Sequence, residues 1–433
     1  MTTIALRVTE TGGRSATTRH IPPRTALAVG MPSTPTPKGW RWSLLTDLAR
    51  LESGHTPSRR HPEYWGGAIP WIGIQDARAN DGRRIEDTEE KTNQLGIENS
   101  SARVLPENTV CLSRTASVGY VVVMGRPMAT SQDFVNWVCS KHLDPNFLKY
   151  LFIAEDEDLL RFASGAVHST IYFPEVKAFH ICHPPLPEQR RLVGILDEAF
   201  EGFATAKAND EKNLQNARMI FKSHLQSVFT QRGKGWVEKR LEEIGKTQTG
   251  STPKTSDQAN YGEFISFVKP ADFNADGSLD YEKDGLSEKG LAGARIVPAG
   301  SVLMVCIGAT IGKCGYCDQD VTTNQQINAL TPSDGSSHRF LYYQMLTEGF
   351  QRGVIHRSGQ ATLPIINKSK WSALPVWLPP TGAEQKRIAA KFDALVEETQ
   401  RLAAIYERKL AALEALKKSL LHQAFSGQLR ATP

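Results

Sequence analysis

No stretch of this 433-residue chain comes near the roughly 20 consecutive apolar residues that a membrane-spanning helix needs, and its first residues hold no apolar core of a secretory signal. A soluble globular protein of the cytoplasm, with no membrane partner, is expected. Cysteine is sparse: Cys111, Cys139, Cys182, Cys306, Cys314 and Cys317 are scattered and follow no pattern that would make a disulfide framework, so reduced thiols are expected. Charge of one sign is not in large excess. The net +5 suits nucleic-acid binding but also suits many proteins that never touch it. Acid is nearly missing from residues 1–37, where Glu10 stands alone among Thr, Pro, Arg and Gly. Such a composition cannot bury a core, so 1–37 is expected to be a disordered extension. It also weakly matches an organelle transit peptide, while the plainer expectation is that translation starts at Met31 rather than Met1.

Catalytic signatures are missing too. Gly308-Ala-Thr-Ile-Gly-Lys-Cys has neither the spacing nor the Ser/Thr of a P-loop. Asp272-Phe-Asn-Ala-Asp-Gly opens like a calcium loop, but its twelfth position is Lys283 where a bidentate Glu is needed, and a polar turn is the better reading. Cys314-Gly-Tyr-Cys317 has zinc-ligand spacing without a second pair; Cys306 is the one candidate to complete it. His224 and His422 have no evident Asp or Ser partner, and no Asn-Pro-Pro-Tyr or Asp-Pro-Pro-Tyr methyltransferase motif occurs. No catalytic residue, metal or cofactor is expected in this chain.

What is present is a repeat. Lys38-Gly39-Trp40 returns 196 residues later as Lys234-Gly235-Trp236, Gly54-His-Thr-Pro57 as Gly250-Ser-Thr-Pro253, and Glu188-Gln-Arg-Arg191 as Glu384-Gln-Lys-Arg387. Lys222, Leu225 and Phe229 return as Lys418, Leu421 and Phe425. The period is too long for a solenoid, whose repeats are roughly 20–50 residues, so each copy is a domain with an attached element. Residues 38–186 and 233–380 alternate short apolar runs with turn residues, which predicts mixed domains of class α+β. After Pro184-Pro185-Leu186-Pro187 and Pro379-Pro380, proline disappears, and long helices are expected over 187–232 and 381–430. Ile388, Phe392, Leu395, Leu402, Leu413, Leu416 and Leu420 mark a seam in the second, with Thr399, Tyr406 and Lys409 between; Leu192, Ile195, Ala199, Phe203, Ala206, Leu214, Ala217, Ile220 and Leu225 mark the first. A stripe that long must be covered. Because the second domain joins the end of one helix to the start of the other, antiparallel pairing with pseudo-twofold symmetry is the economical arrangement.

Gly-x-Thr-Pro near the start of each domain and Pro-Pro followed by Glu-Gln-Arg-Arg-Leu or Glu-Gln-Lys-Arg-Ile at each helix entrance resemble the specificity subunit of type I restriction–modification systems, over about residues 38–428. The resemblance implies two target recognition domains, each reading one half of a bipartite sequence in double-stranded DNA, with the helices as a spacer. It also implies partners: two adenine methyltransferase subunits and restriction subunits, which would hold S-adenosylmethionine, ATP and Mg.

Polar loops supply the DNA-contact candidates: Arg59, Arg60, Gln75, Arg78, Arg83, Arg84 and Arg114 in the first domain; Lys254, Lys269, Arg295 and Lys313 in the second. Gly54, Pro57, Gly250 and Pro253 are read as setting a turn. Glu188, Gln189, Arg190, Arg191, Glu384, Gln385, Lys386 and Arg387 are partner-binding candidates, with helix capping as the alternative. Two other classes stay open: a coiled-coil scaffold presenting two protein-binding domains, and, more weakly, an enzyme with duplicated sites.

Overall fold

The computed structural model describes residues 5–8, 16–115, 117–165, 169–333, 335–359 and 363–429. The chain divides into two compact units: residues 1–208 with 410–433, and residues 209–409. Each therefore combines one mixed domain with the first part of one long helix and the last part of the other.

In the first unit, a five-stranded sheet runs in the order Ala49–Ser53, Phe134–Cys139, Val110–Ser113, Val121–Met124, Arg84–Ile85. Strand periodicity sorts its side chains. Val110, Leu112, Val121 and Val123 enter one apolar cluster, and Cys111, Val122 and Met124 enter another on the opposite face. The second unit repeats the device in a four-stranded sheet, where Val302 and Met304 face one cluster while Leu303 and Val305 face another.

The long helices span Leu186–Gln231 and Gly382–Phe425. Within the first unit Arg191 donates to the Leu429 carbonyl at 2.8 Å and Lys207 lies 3.6 Å from Glu414. Within the second, Arg218 pairs with Glu407 at 2.9 Å, and the rings of Phe229 and Phe392 stack at 6.0 Å. Rising numbers on one helix meet falling numbers on the other, so the pairing is antiparallel in each unit. The domain end of each pair is sealed by Leu192, Leu196, Leu421 and Phe425 in one case, and by Leu225, Phe229, Ala389 and Phe392 in the other.

The seam departs from expectation at three residues. Ile220 and Leu416 are largely exposed and Lys409 is exposed, while their neighbours Phe221, Lys417 and Leu410 turn inward. For two of them the cause is local: Phe221 packs on Tyr343 and Phe392, and the Lys417 ammonium lies 5.1 Å from the centre of the Phe200 ring. Helix ends that must dock on a globular domain follow its surface rather than a strict heptad.

The expectation of a disordered 1–37 fails for the described part of that segment. Ala5–Val8 pairs with Ala16–Arg19, and Leu27–Val29 pairs antiparallel with Phe179–His183, whose other side carries Arg41–Leu44. Ala26, Leu27, Ala28 and Val29 are fully buried. Glu155, itself buried, accepts from the Leu27 N–H at 3.2 Å and from Arg161 at 2.9 Å, and Arg161 also donates to the Leu27 carbonyl. Burial raises the Glu155 pKa, and the Arg161 guanidinium opposes that rise. Residues 1–4 and 9–15 lie outside those described.

A chain begun at Met31 lacks this strand. Deleting residues 1–30 is expected to destabilise the first unit by roughly 3–6 kcal/mol, given about 1.5–3 kcal/mol for burying each of Leu27 and Val29. Hydrogen exchange should accelerate in 179–183 and leave 375–378 unchanged; equal protection in full-length and shortened chains would contradict the structural role.

Candidate nucleic-acid interface

The Gly-x-Thr-Pro segments close the same turn in both units. A Cβ on Gly54 would sit 1.9 Å from the Ser131 carbonyl oxygen, and one on Gly250 would sit 2.2 Å from that of Asn324. Only glycine allows so close an approach. The amides then lock it: His55 donates to the Thr130 carbonyl and Ser251 to that of Thr323, both at 2.9 Å. Thr56 hydrogen-bonds the side chain of Gln132, and Thr252 that of Gln325. One turn is thus clamped twice, by the same pair of residue types, onto an exposed glutamine loop.

Around the first clamp lies a cleft of about 440 Å³, lined among others by Arg59, Trp71, Gln75, Asp76, Glu90 and Asp133. The Arg59 guanidinium stacks 4.0 Å over Trp65 and pairs with Glu90 at 2.6 Å. That hydrogen bond raises the Arg59 pKa and lowers that of Glu90. Of the candidates, Arg59 and Gln75 are brought to one cleft. Arg114 reaches its border, since its N–H donates to the Asp133 carbonyl at 2.7 Å. Its guanidinium, however, lies half-buried against Phe173, and desolvation lowers its pKa.

Several other candidates have internal partners. Arg78 donates to the Tyr120 hydroxyl at 3.0 Å, and Arg84 is held by Glu107 and Asn108. Lys269 pairs with Asp284 at 2.7 Å; Arg295 donates to the Thr249 carbonyl at 2.6 Å and Lys313 to that of Phe273 at 2.7 Å. Arg60, Arg83 and Lys254 are exposed and form no ion pair among the described residues. The residues missed in sequence are Gln132 and Gln325. Both are exposed, both sit on the clamped loop, and their recurrence near the repeat offset was the available signal.

At the helix entrances the partner-binding expectation must be corrected for two residues. Gln189 is fully buried; its Oε1 accepts from the Asp144 N–H at 2.9 Å and its Nε2 donates to the carbonyls of His142 and Pro184. Gln385 is buried likewise and accepts from the Ser337 N–H at 2.8 Å. Asp144 and Ser337 are the N-caps of the Pro145–Glu155 and His338–Met345 helices, so each glutamine staples a long helix to a short one. Tyr150 donating to Asp197 at 2.6 Å and Tyr343 to Asp393 at 2.5 Å repeat the theme. Arg191 is tied to Glu188 at 2.6 Å, and the Glu384 N–H is tied to Thr381. Arg190, Lys386 and Arg387 present their charges to solvent.

The catalytic look-alikes resolve physically. Lys283 places its ammonium 3.1 Å from Asp280 and 3.7 Å from Asp272, so a lysine already balances the carboxylates of the acidic turn. Cys314 and Cys317 are three apart on one strand and enter different apolar clusters. Burial pushes the thiols of Cys139, Cys182 and Cys306 up to about 12 and that of Cys317 up to about 11, far from nucleophilic range at neutral pH. Among the described residues no group of three metal-ligating side chains gathers, and no helix is long and apolar enough to cross a membrane.

Comparison with known proteins adds independent findings. The family model described as type I restriction modification DNA specificity domain matches residues 37–215 and 233–408. The chain is 23% identical to the MjaIX specificity subunit of Methanocaldococcus jannaschii, over 91% of this chain and 94% of that one. It is 29% identical to the HindI specificity subunit of Haemophilus influenzae, over 42% of this chain and 41% of that one. Among solved structures, a chain from a type I R-M system superposes with a TM-score of 0.71 at 20% identity, covering 92% of this chain and all of that one. The HsdS subunit from Thermoanaerobacter tengcongensis gives 0.59 at 20% identity, with 92% and 99% coverage.

Two substitutions, with Lys386→Ala as a control, test the local account. Gly54→Ala should cost about 2 kcal/mol or more through overpacking against Ser131. Gln385→Ala should cost roughly 1–3 kcal/mol by orphaning a buried N–H, whereas Lys386→Ala should stay within about 0.5 kcal/mol. Denaturant melts measure both, and a neutral Gln385→Ala would return that residue to the partner-binding candidates.

Proposed function

Because the chain belongs to the type I restriction modification DNA specificity family, its function is that of the DNA-recognition subunit, and we propose that the two clamped loops are where its two domains meet their half-sites. The observation that carries this reading is the recurrence of one exposed arrangement, a threonine–glutamine clamp on a glycine turn, in both units. Glutamine suits the role chemically, because its amide can both donate and accept and so pair with two atoms of an adenine edge in the major groove. Arg60 follows Thr56 of the first clamp by four residues and Lys254 follows Thr252 of the second by two; these exposed cations would neutralise phosphates and set register without reading sequence.

Arg59, Arg78, Arg84, Arg114, Lys269, Arg295 and Lys313, each held by an internal partner, then hold loops in shape more than they touch DNA. The long helices would fix the separation of the half-sites, since linking two readers through a stiff element makes the second binding event intramolecular and geometrically restricted. Exposed Arg190, Lys386 and Arg387 at the helix entrances would contact methyltransferase subunits; two such subunits and additional restriction subunits would suit a chain with two like halves. Chemistry resides in those partners, together with S-adenosylmethionine, ATP and Mg.

Exchange of residues 38–185 for the corresponding domain of another specificity subunit should change one half of the methylated motif and leave the other intact, as read by methylome sequencing. Alteration of both halves would contradict the division of labour. Gln132→Ala should relax base preference in that same half, by roughly 1–3 kcal/mol for one lost bidentate contact.

A further inference from the structure

The two units differ at one edge. In the first, the Phe179–His183 strand is flanked on both sides, and Leu27–Val29 completes it: Gly30 donates to the Ala178 carbonyl at 2.9 Å and Cys182 to the Ala26 carbonyl at 2.8 Å. In the second, the equivalent strand Pro375–Leu378 pairs among the described residues with Val237–Arg240 alone. Leu241 donates to the Leu374 carbonyl, so strand alternation turns the backbone polar groups of residues 375 and 377 toward the unpaired side. Along that side runs a cleft of about 490 Å³, contained within the second unit.

We propose that this cleft docks an extended, acidic segment of a partner protein. Three observations point the same way. First, its counterpart in the first unit is filled by an extended segment of the chain itself, which shows what the scaffold accommodates at that edge. Second, the cleft is cationic: Arg232, Arg352 and Arg357 line it, none forms an ion pair among the described residues, and no carboxylate lines it. Arg232 lies 3.6 Å over the Trp377 ring, at the edge itself. Third, Gln226 and Gln344 also line the cleft, and Gln226 Nε2 and Gln344 Oε1 are shielded from solvent with no hydrogen-bond partner among the described residues. An unpaired amide donor and an unpaired amide acceptor match the alternating groups of a peptide backbone.

Charge also says which segment does not fit. The strand that fills the first unit belongs to a stretch with Arg19, His20 and Arg24 and no acidic residue from 16 to 37, and it meets carboxylates there: Arg24 pairs with Asp158 and Thr18 donates to Glu175. A second copy of that basic segment would be repelled by the arginines of the second unit. Pro375 lacks an N–H, so backbone pairing alone is weak at this edge and selection falls to the flanking cations.

The test uses the full-length protein and a fluorescein-labelled ten-residue peptide alternating Glu and Val, with a Lys–Val peptide and an unlabelled 20-base-pair duplex as comparisons. Anisotropy should report saturable binding of the Glu–Val peptide, at least tenfold tighter than the Lys–Val peptide. The R352E/R357E variant, checked for folding by circular dichroism, should weaken it at least tenfold; R59E in the first unit should not. Binding should also slow hydrogen exchange at 374–377. The proposal is overturned by absence of saturable binding at millimolar peptide, by equal binding of the two peptides, or by an unchanged affinity in R352E/R357E. Displacement of the peptide by the duplex would instead assign the arginines to phosphate. The DNA-reading role of the clamped loops is independent of each of these outcomes.

Discussion

Two helices of more than forty residues each cannot stand alone in water with an apolar stripe, and among the described residues each has one partner of matching length, the other helix. Their antiparallel pairing is the constraint on which the rest depends. It gives each unit the start of one helix and the end of the other, so neither domain is completed by a contiguous piece of sequence. Leu192 and Leu196 need Leu421 and Phe425, while Phe392 needs Leu225 and Phe229. Recognition by either domain is thereby coupled to the integrity of both helices.

The same economy appears in the joints. Buried Gln189 and Gln385 satisfy backbone groups at the N-caps of neighbouring short helices, and the Tyr150–Asp197 and Tyr343–Asp393 pairs pin the next turns. A side-chain amide is suited to this because it donates and accepts at once in a place where an unpaired backbone N–H costs about 1–3 kcal/mol. Once the helix entrances are fixed, the Gly54 and Gly250 turns can carry exposed side chains on a rigid base, as a reader of sequence requires.

Much of this was legible in the sequence because duplication is its own control. The repeat marked both domains, both helix entrances and the orientation of the helices, and the observed helix start at Leu186 lies one residue from the expected one. What escaped depended on contacts between distant segments. Leu27-Ala28-Val29 is too short a run to announce a strand amid Thr, Pro and Arg, and only the edge at Phe179–His183 makes it one. Gln189 and Gln385 look like surface residues in a charged tetrad until the short helix beside each is in place. Among the charged candidates, sequence could not distinguish Arg60, which forms no ion pair among the described residues, from Arg84, which Glu107 and Asn108 hold. Gln132 and Gln325 were visible as a recurrence but not as a site, since their exposure follows from a clamp that pairs residues over seventy positions apart.

We propose that the helices set the gap between the two half-sites, and that proposal can be tested directly. Inserting seven residues into the middle of each helix lengthens the pair by about 10.5 Å at 1.5 Å per residue, close to three base pairs. Methylome sequencing of a host carrying this variant should show both half-sites unchanged and the gap between them longer by about three base pairs. An unchanged gap with methylation retained, or altered half-sites at the original spacing, would contradict it.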